Sequence, residues 1–161
     1  MKIPQTEILL FIMRDGELCA LLNRCARMSE EDFQKNEPSH GVYRPTICCA
    51  EQTKTFGGLM HNLRRELGED VFPAMISVIE KKQEVSHPRI ARFVMEIPFG
   101  LEQKFRTPYY SAEIYPISRT EVADIIEVPF QGSPPVLPNR IPMFEGGKDF
   151  LLAGFEILSN K

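Results

Sequence analysis

The chain has no tryptophan, and only three histidines and four cysteines among its 161 residues. None of Cys19, Cys25, Cys48 and Cys49 forms the C-x2-C spacing of a zinc site. His40, His61 and His87 lie far apart and make no H-E-x-x-H pair, so no structural metal is expected. Cys48 and Cys49 are adjacent and would point to opposite faces of a strand. All four thiols read as reduced, buried small hydrophobes.

A basic excess is also missing. Nineteen Lys and Arg stand against 22 Asp and Glu, for a net charge of −3 and a pI near 5.7. No general positive field exists for a nucleic-acid duplex, although a local basic patch stays open. No apolar run approaches the roughly 20 residues that cross a bilayer. The run from Ile8 to Met13 is too short for a signal peptide's apolar region and meets Arg14-Asp15-Gly16 at once. These readings place the protein in the cytoplasm, away from membranes. A homodimer is compatible with them.

What is present suits one domain spanning 1–161: hydrophobic residues at 43% and charged residues at 25%, with enough length for a real core. The informative stretch is Phe56-Gly57-Gly58 through Val71. Phe56, Met60, Leu63, Leu67 and Val71 recur every three or four positions, which is one stripe of an amphipathic helix. Arg64, Arg65, Glu66, Glu69 and Asp70 fall on the other face. Such a cluster is either a solvated surface or a phosphate or metal site. Pro73 is expected to end the helix, because its ring clashes with the preceding turn and it has no N–H.

Around this helix the pattern is mostly strand. Glu7–Met13 reads as a buried strand, Asp15-Gly16 as a hairpin turn, and Leu18–Arg24 as the returning strand. Residues 27–46 read as a long surface connection, with Ser29 and Asp32 at capping positions of a short helix. Thr46–Ala50, Arg89–Ile97 and Tyr109–Ile117 read as strands, Ala74–Glu80 as a strand or helix-strand junction, and Lys81–Glu84 as a polar turn. Ser118 and Glu121 have capping-box spacing and would open a short helix through Ile126. The proline-rich segment between Pro129 and Pro142 lacks the N–H donors for a sheet and reads as a loop. A last helix is expected over Lys148–Leu158.

This order of elements, together with Leu63-Arg64-Arg65-Glu66-Leu67-Gly68-Glu69-Asp70-Val71, resembles the Nudix superfamily. The resemblance covers most of the chain in layout but only the helix in motif. It implies an α+β fold with a mixed β-sheet packed between helices. In that family, Glu residues at i, i+3 and i+4 on one helix face gather Mg²⁺ or Mn²⁺ against a pyrophosphate, and the metal activates the attacking water.

The family pattern fits in two registers. In the first, Arg65-Glu66 is the Arg-Glu pair, and Glu66, Glu69 and Asp70 form the metal cluster, with Glu66 and Glu69 catalytic. Gly68 then lies inside the helix at a cost of roughly 1 kcal/mol. In the second, Glu66-Leu67-Gly68 closes the box and Gly68 caps the helix. The helix then begins near Thr53; His61, Asn62 and Arg65 replace the Arg and two acidic residues, and only Glu66 remains. Neither register restores the upstream Gly and Glu.

The resemblance therefore implies one of two functions. One is a Nudix-like domain with a degenerate box that binds a nucleotide-like or phosphate-bearing ligand or a protein partner, with Arg44, Lys54, Arg64 and Arg65 as phosphate contacts. The other is a Mg²⁺-dependent hydrolase of a nucleoside diphosphate linked to another group, with Glu96 or Glu113 as a further ligand or base. Without the resemblance, the loops at 27–46 and 129–142, with Phe130, Met143 and Phe144, could contact a partner or pin themselves to the core.

Overall fold

A computed structural model describes residues 5–27, 40–49, 51–53, 55–105, 109–110, 121–129, 144 and 146–159. In chain order the elements are β1 (Thr6–Arg14), β2 (Glu17–Arg27), β3 (His40–Arg44), β4 (Ile47–Cys49), α1 (Phe56–Glu80), β5 (Gln83–Val85), β6 (Ala91–Glu96), a 3-10 turn (Leu101–Phe105), β7 (Tyr109–Tyr110), β8 (Glu121–Pro129) and α2 (Gly147–Ser159).

The apolar run in β1 is buried on both faces, and the sheet is built outward from it. Asp15 and Gly16 take positive φ of 52° and 81°, the turn whose twist matches a hairpin, and β2 returns antiparallel with Leu10 opposite Leu21. On its other edge β1 pairs in parallel with β6, which pairs in turn with β5. β8 pairs antiparallel with the outer edge of β2 from Cys19 to Arg27. The described strands make one mixed sheet.

Beyond Leu10 and Leu21 the strands β1 and β2 diverge, and residues 40–49 fill the gap. β3 pairs with β2, while β4 pairs with β1. Thr46 sits at the split. Its hydroxyl donates to the Leu21 carbonyl and accepts from Leu10 N–H at 3.0 Å, all within the core. The Asn23 side-chain amide donates to the carbonyls of Pro45 (2.7 Å) and Thr46 (3.1 Å). These side chains take up backbone groups that the diverging ladder leaves behind.

Each face of the sheet is covered. Ile8, Leu10, Leu21 and Ile47 pack beneath Leu59, Leu63, Leu67, Met75 and Ile79 of α1. Leu9, Phe11, Leu22 and Val94 pack against Phe150, Leu151, Phe155 and Leu158 of α2. The helix α2 lies close because it presents Gly154: a Cβ there would stand 2.5 Å from Phe11 Cζ. Phe11 and Phe155 meet edge to face at 5.2 Å. Under the start of α2, Arg92 and Glu7 on neighbouring strands form a buried ion pair at 2.8 Å, with the guanidinium over the Phe150 ring. The α+β class, with a mixed sheet between helices, is the arrangement expected.

The helix α1 departs from expectation. Gly68 has φ 76° and ψ 177°, a conformation essentially reserved for glycine, and it splits the element into arms at 56–67 and 69–80. A straight helix of this length would span about 37 Å. Yet Lys82 Nζ lies 4.9 Å from the centre of the Phe56 ring, so the arms fold back on each other. Pro73 does not end the helix. It is the fifth residue of the second arm, exposed to solvent, and the arm continues through it to Glu80. Residues 74–80, expected as strand or junction, are the second arm, held by Met75, Val78 and Ile79 in the core.

Three smaller expectations are corrected. Gln83 and Glu84 belong to β5 rather than to a turn, and 40–44 is a strand within the expected long connection. Residues 121–126 are strand, because ladder pairing with β2 outweighs a local capping pattern. The Ser29 cap, most of the Tyr109–Ile117 strand and the proline-rich segment lie outside the described residues. Among the described residues, no helix is long and apolar enough to cross a membrane.

A Cβ at Gly68 would meet no atom within 4 Å, so replacing it strains only the backbone. Gly68→Ala is expected to lower unfolding free energy by about 1–3 kcal/mol in urea titration. Thr46→Val keeps the shape but leaves a buried N–H and C=O unserved, and is expected to lower stability by at least about 1–3 kcal/mol in the same titration.

Candidate functional site

The start of α1 is set by Thr55, whose extended backbone and side-chain oxygen cap the helix by accepting Gly58 N–H at 3.0 Å. From there Leu59, Leu63 and Leu67 bury toward the sheet, and the residues between them are fixed in direction by the helical repeat. Arg65 and Glu66 fall just before the elbow, beside the end of β4.

These two residues form a cluster with Glu51, from the segment that leaves β4. Arg65 Nη2 donates to Glu51 Oε2 at 2.7 Å and lies 3.5 Å from Glu66 Oε1. Glu66 is mostly covered, its side chain 13% exposed, whereas Arg65 and Glu51 are about half exposed. The hydrogen bond to Glu51 pushes the Arg65 pKa further up, so this cation is permanent. Beneath the cluster lies Cys49. Burial, helped by the nearby Glu66 carboxylate, pushes its thiol up to about 12, so it is protonated and not a nucleophile near neutral pH.

The other predicted site residues are placed as follows. Glu69, past the elbow, accepts from Arg64 Nε at 2.8 Å in a pair that is 63% and 69% exposed. Such a pair contributes little to stability. Asp70 is exposed on the second arm. The non-helical Gly68 lies between Glu66 and the other two acids, so the three do not share one helix face. Among the described residues, no group of three His, Cys, Asp or Glu is placed to hold a metal ion. Arg44 is half-buried in β3, opposite Asn23, and Glu96 is exposed at the end of β6. Lys54, Glu113, Phe130 and Met143 lie outside the described residues. Phe144 packs on Phe150 and the α2 core, a loop residue pinned to its own protein.

Glu51 is the member that reading along the chain does not single out. It is separated in sequence from Arg65, and only the path of the chain between β4 and α1 joins them. The arrangement presents a half-exposed guanidinium between two carboxylates. Chemically it can hold an oxyanion through Arg65; it offers no activated nucleophile and no open cluster of acidic ligands. No protein-family model matches the chain, and no curated protein does.

The raised Cys49 pKa has a stability consequence. The folded state holds the thiol proton more tightly than the unfolded state, whose value is near 9. This stabilisation is full below pH 9 and is lost as pH rises toward about 12. Denaturant titrations across that window are expected to show stability falling more steeply in wild type than in Cys49→Ala.

Proposed function

We propose that the chain is a Nudix-like domain whose degenerate box binds a phosphate-bearing, nucleotide-like ligand with little or no pyrophosphate hydrolysis. The layout supports this reading: a mixed sheet between helices, with the charged helix leaving the end of β4. The first arm of α1 ends at Gly68, as the closing Glu66-Leu67-Gly68 of the second register requires.

The observation that carries the proposal is Arg65. In that register it takes the place of a metal-binding glutamate, and its Nη2 lies 2.7 and 3.5 Å from two carboxylates. The guanidinium stands between two acids, which on this reading is where a divalent cation would otherwise sit. A bound Mg²⁺ or Mn²⁺ would supply Lewis acidity and an activated water, but these residues do not fit one: the Arg65 guanidinium already stands between Glu51 and Glu66, and among the described residues no third acidic ligand joins them. What remains is oxyanion recognition. A half-exposed pair of the Glu51–Arg65 kind contributes about 0–1 kcal/mol, so an incoming phosphate can redirect the guanidinium at small cost. The planar fork suits phosphate geometry, and Arg64 stands beside it.

The test uses ADP as the probe in calorimetry, with Mg²⁺ or with chelator, alongside turnover of a panel of nucleoside diphosphate derivatives. Saturable ADP binding that is indifferent to metal and weakened about tenfold in Arg65→Gln is expected, with no turnover. Mg²⁺-dependent turnover that disappears in Glu69→Gln would establish the hydrolase of the first register instead. Absence of both binding and turnover in the folded protein would reject the proposal.

A further inference from the structure

At the opposite end of α1 from the Arg65 cluster, a cleft of about 380 Å³ opens between the helix start, the segment after β4, and the edge formed by β5 and β6. It exists because α1 folds back, which brings Phe56 at the start of one arm to Lys82 just past the end of the other. Its apolar floor is Ile90, Ala91 and Phe93, and Phe56 forms a wall with 45% of its surface exposed. Lys82 and Glu84 stand two residues apart on the same side of the chain entering β5, and both line the cleft.

The walls are held in place by hydrogen bonds that do not involve a ligand. Gln52 Nε2 donates to Arg89 O at 2.9 Å, tying the segment after β4 to the turn before β6. His87 Nδ1 accepts the N–H groups of Arg89 (3.1 Å) and Ile90 (2.9 Å), which fixes that turn and leaves the neutral ring its proton on Nε2. Thr53 N–H donates to Thr6 Oγ1 at 3.3 Å. The end of α1 is already capped by Thr55, so recognition here would come from side chains rather than from the helix terminus. The cleft is formed without a ligand, and its exposed lining is mostly polar, with Phe56, Ile90, Ala91 and Phe93 as its apolar part, so polar contacts would dominate recognition.

The lining selects a class of ligand. The volume lies at the small end of the roughly 300–1,000 Å³ range of such sites, which suits a single small molecule and excludes a dinucleotide. One aromatic wall and an apolar floor favour a planar ring. One cation, Lys82, whose ammonium lies over the Phe56 ring, and one carboxylate, Glu84, both line the cleft and favour a ligand carrying both charges, because a simple anion would face Glu84 and a simple cation would face Lys82. The geometry points to a binding site for an aromatic amino acid or close zwitterionic analogue. The ring lies between Phe56 and the floor, the ligand carboxylate meets Lys82, and the ligand ammonium meets Glu84. This site is independent of the proposed phosphate site and does not rest on it.

The experiment is calorimetric or NMR titration of the whole chain with phenylalanine, tyrosine and tryptophan. The methyl ester and the N-acetyl form of the best ligand are titrated alongside, with AMP as an anionic aromatic control. Saturable binding is expected for at least one amino acid, weakened about tenfold by loss of either ligand charge. Lys82→Gln should weaken the free amino acid while leaving the affinity of the methyl ester unchanged. Glu84→Gln should do the same with respect to the N-acetyl form. Phe56 is exposed, so Phe56→Ala should fold as wild type by circular dichroism and lose binding of all three. No saturable binding by the folded protein would overturn the inference. So would binding indifferent to Lys82→Gln and Phe56→Ala, or tight binding of AMP with none of the amino acids.

Discussion

The reversal of α1 at Gly68 is the constraint on which the rest of the molecule depends. One residue with φ 76° and ψ 177° converts a long amphipathic stretch into two arms that lie on the same face of the sheet. Both arms then bury apolar residues, Leu59, Leu63 and Leu67 from one and Met75, Val78 and Ile79 from the other, in a single core cluster. Burying each such side chain contributes about 1.5–3 kcal/mol, which outweighs the backbone freedom lost at one glycine. The same reversal brings two groups of side chains together. The elbow holds Arg65 and Glu66 beside Glu51, and the open end sets Phe56 against Lys82.

The chain is mildly acidic, yet the placement of its arginines decides its chemistry more than the net charge does. Arg92 is buried with Glu7 and sealed by Phe150 and Phe144, so it fixes where α2 begins. Removing either partner would leave an uncompensated buried charge, the situation that makes such pairs structurally stringent. Arg14, at the hairpin end, reaches Glu127 at 2.6 Å and Glu102 at 3.4 Å and lies over Phe99, joining the hairpin to β8 and to the 3-10 turn. Arg65 is like Arg14 in standing between two carboxylates of unequal burial, but is more exposed, 47% against 34%. An arginine in that setting is held well enough to be positioned and loosely enough to change partner.

Much of the fold could be read along the chain. The hairpin around Asp15-Gly16 was legible because its turn chemistry and flanking apolar runs are local. The terminal helix was legible after Gly146-Gly147, β4 as a short strand and β6 from its alternation. The errors share one cause. Pro73 and the capping pattern near Glu121 are local stop and start signals. Tertiary packing overrode the first by starting a new helical segment at Gly68, and sheet pairing overrode the second along β2. The candidate site was legible in part. Gly68 as a helix end follows from glycine's conformational range, and Arg65 and Glu66 were already legible as neighbours on the polar face of the helix. Glu51 carried no local signal.

The sequence by itself determined the α+β class, the hairpin, the apolar stripe of α1 and the identity of the charged residues on its polar face, because alternation, helical repeat and turn chemistry act over a few neighbouring residues. Only the tertiary structure decided which of those charges meet. Whether Glu66 stands with Glu69 and Asp70 or with Arg65 and Glu51 depends on the backbone direction at a single glycine and on the path of the chain from β4 into α1. Both are set by how two helical arms bury their leucines on one sheet face, a property of the packed molecule that no short stretch contains.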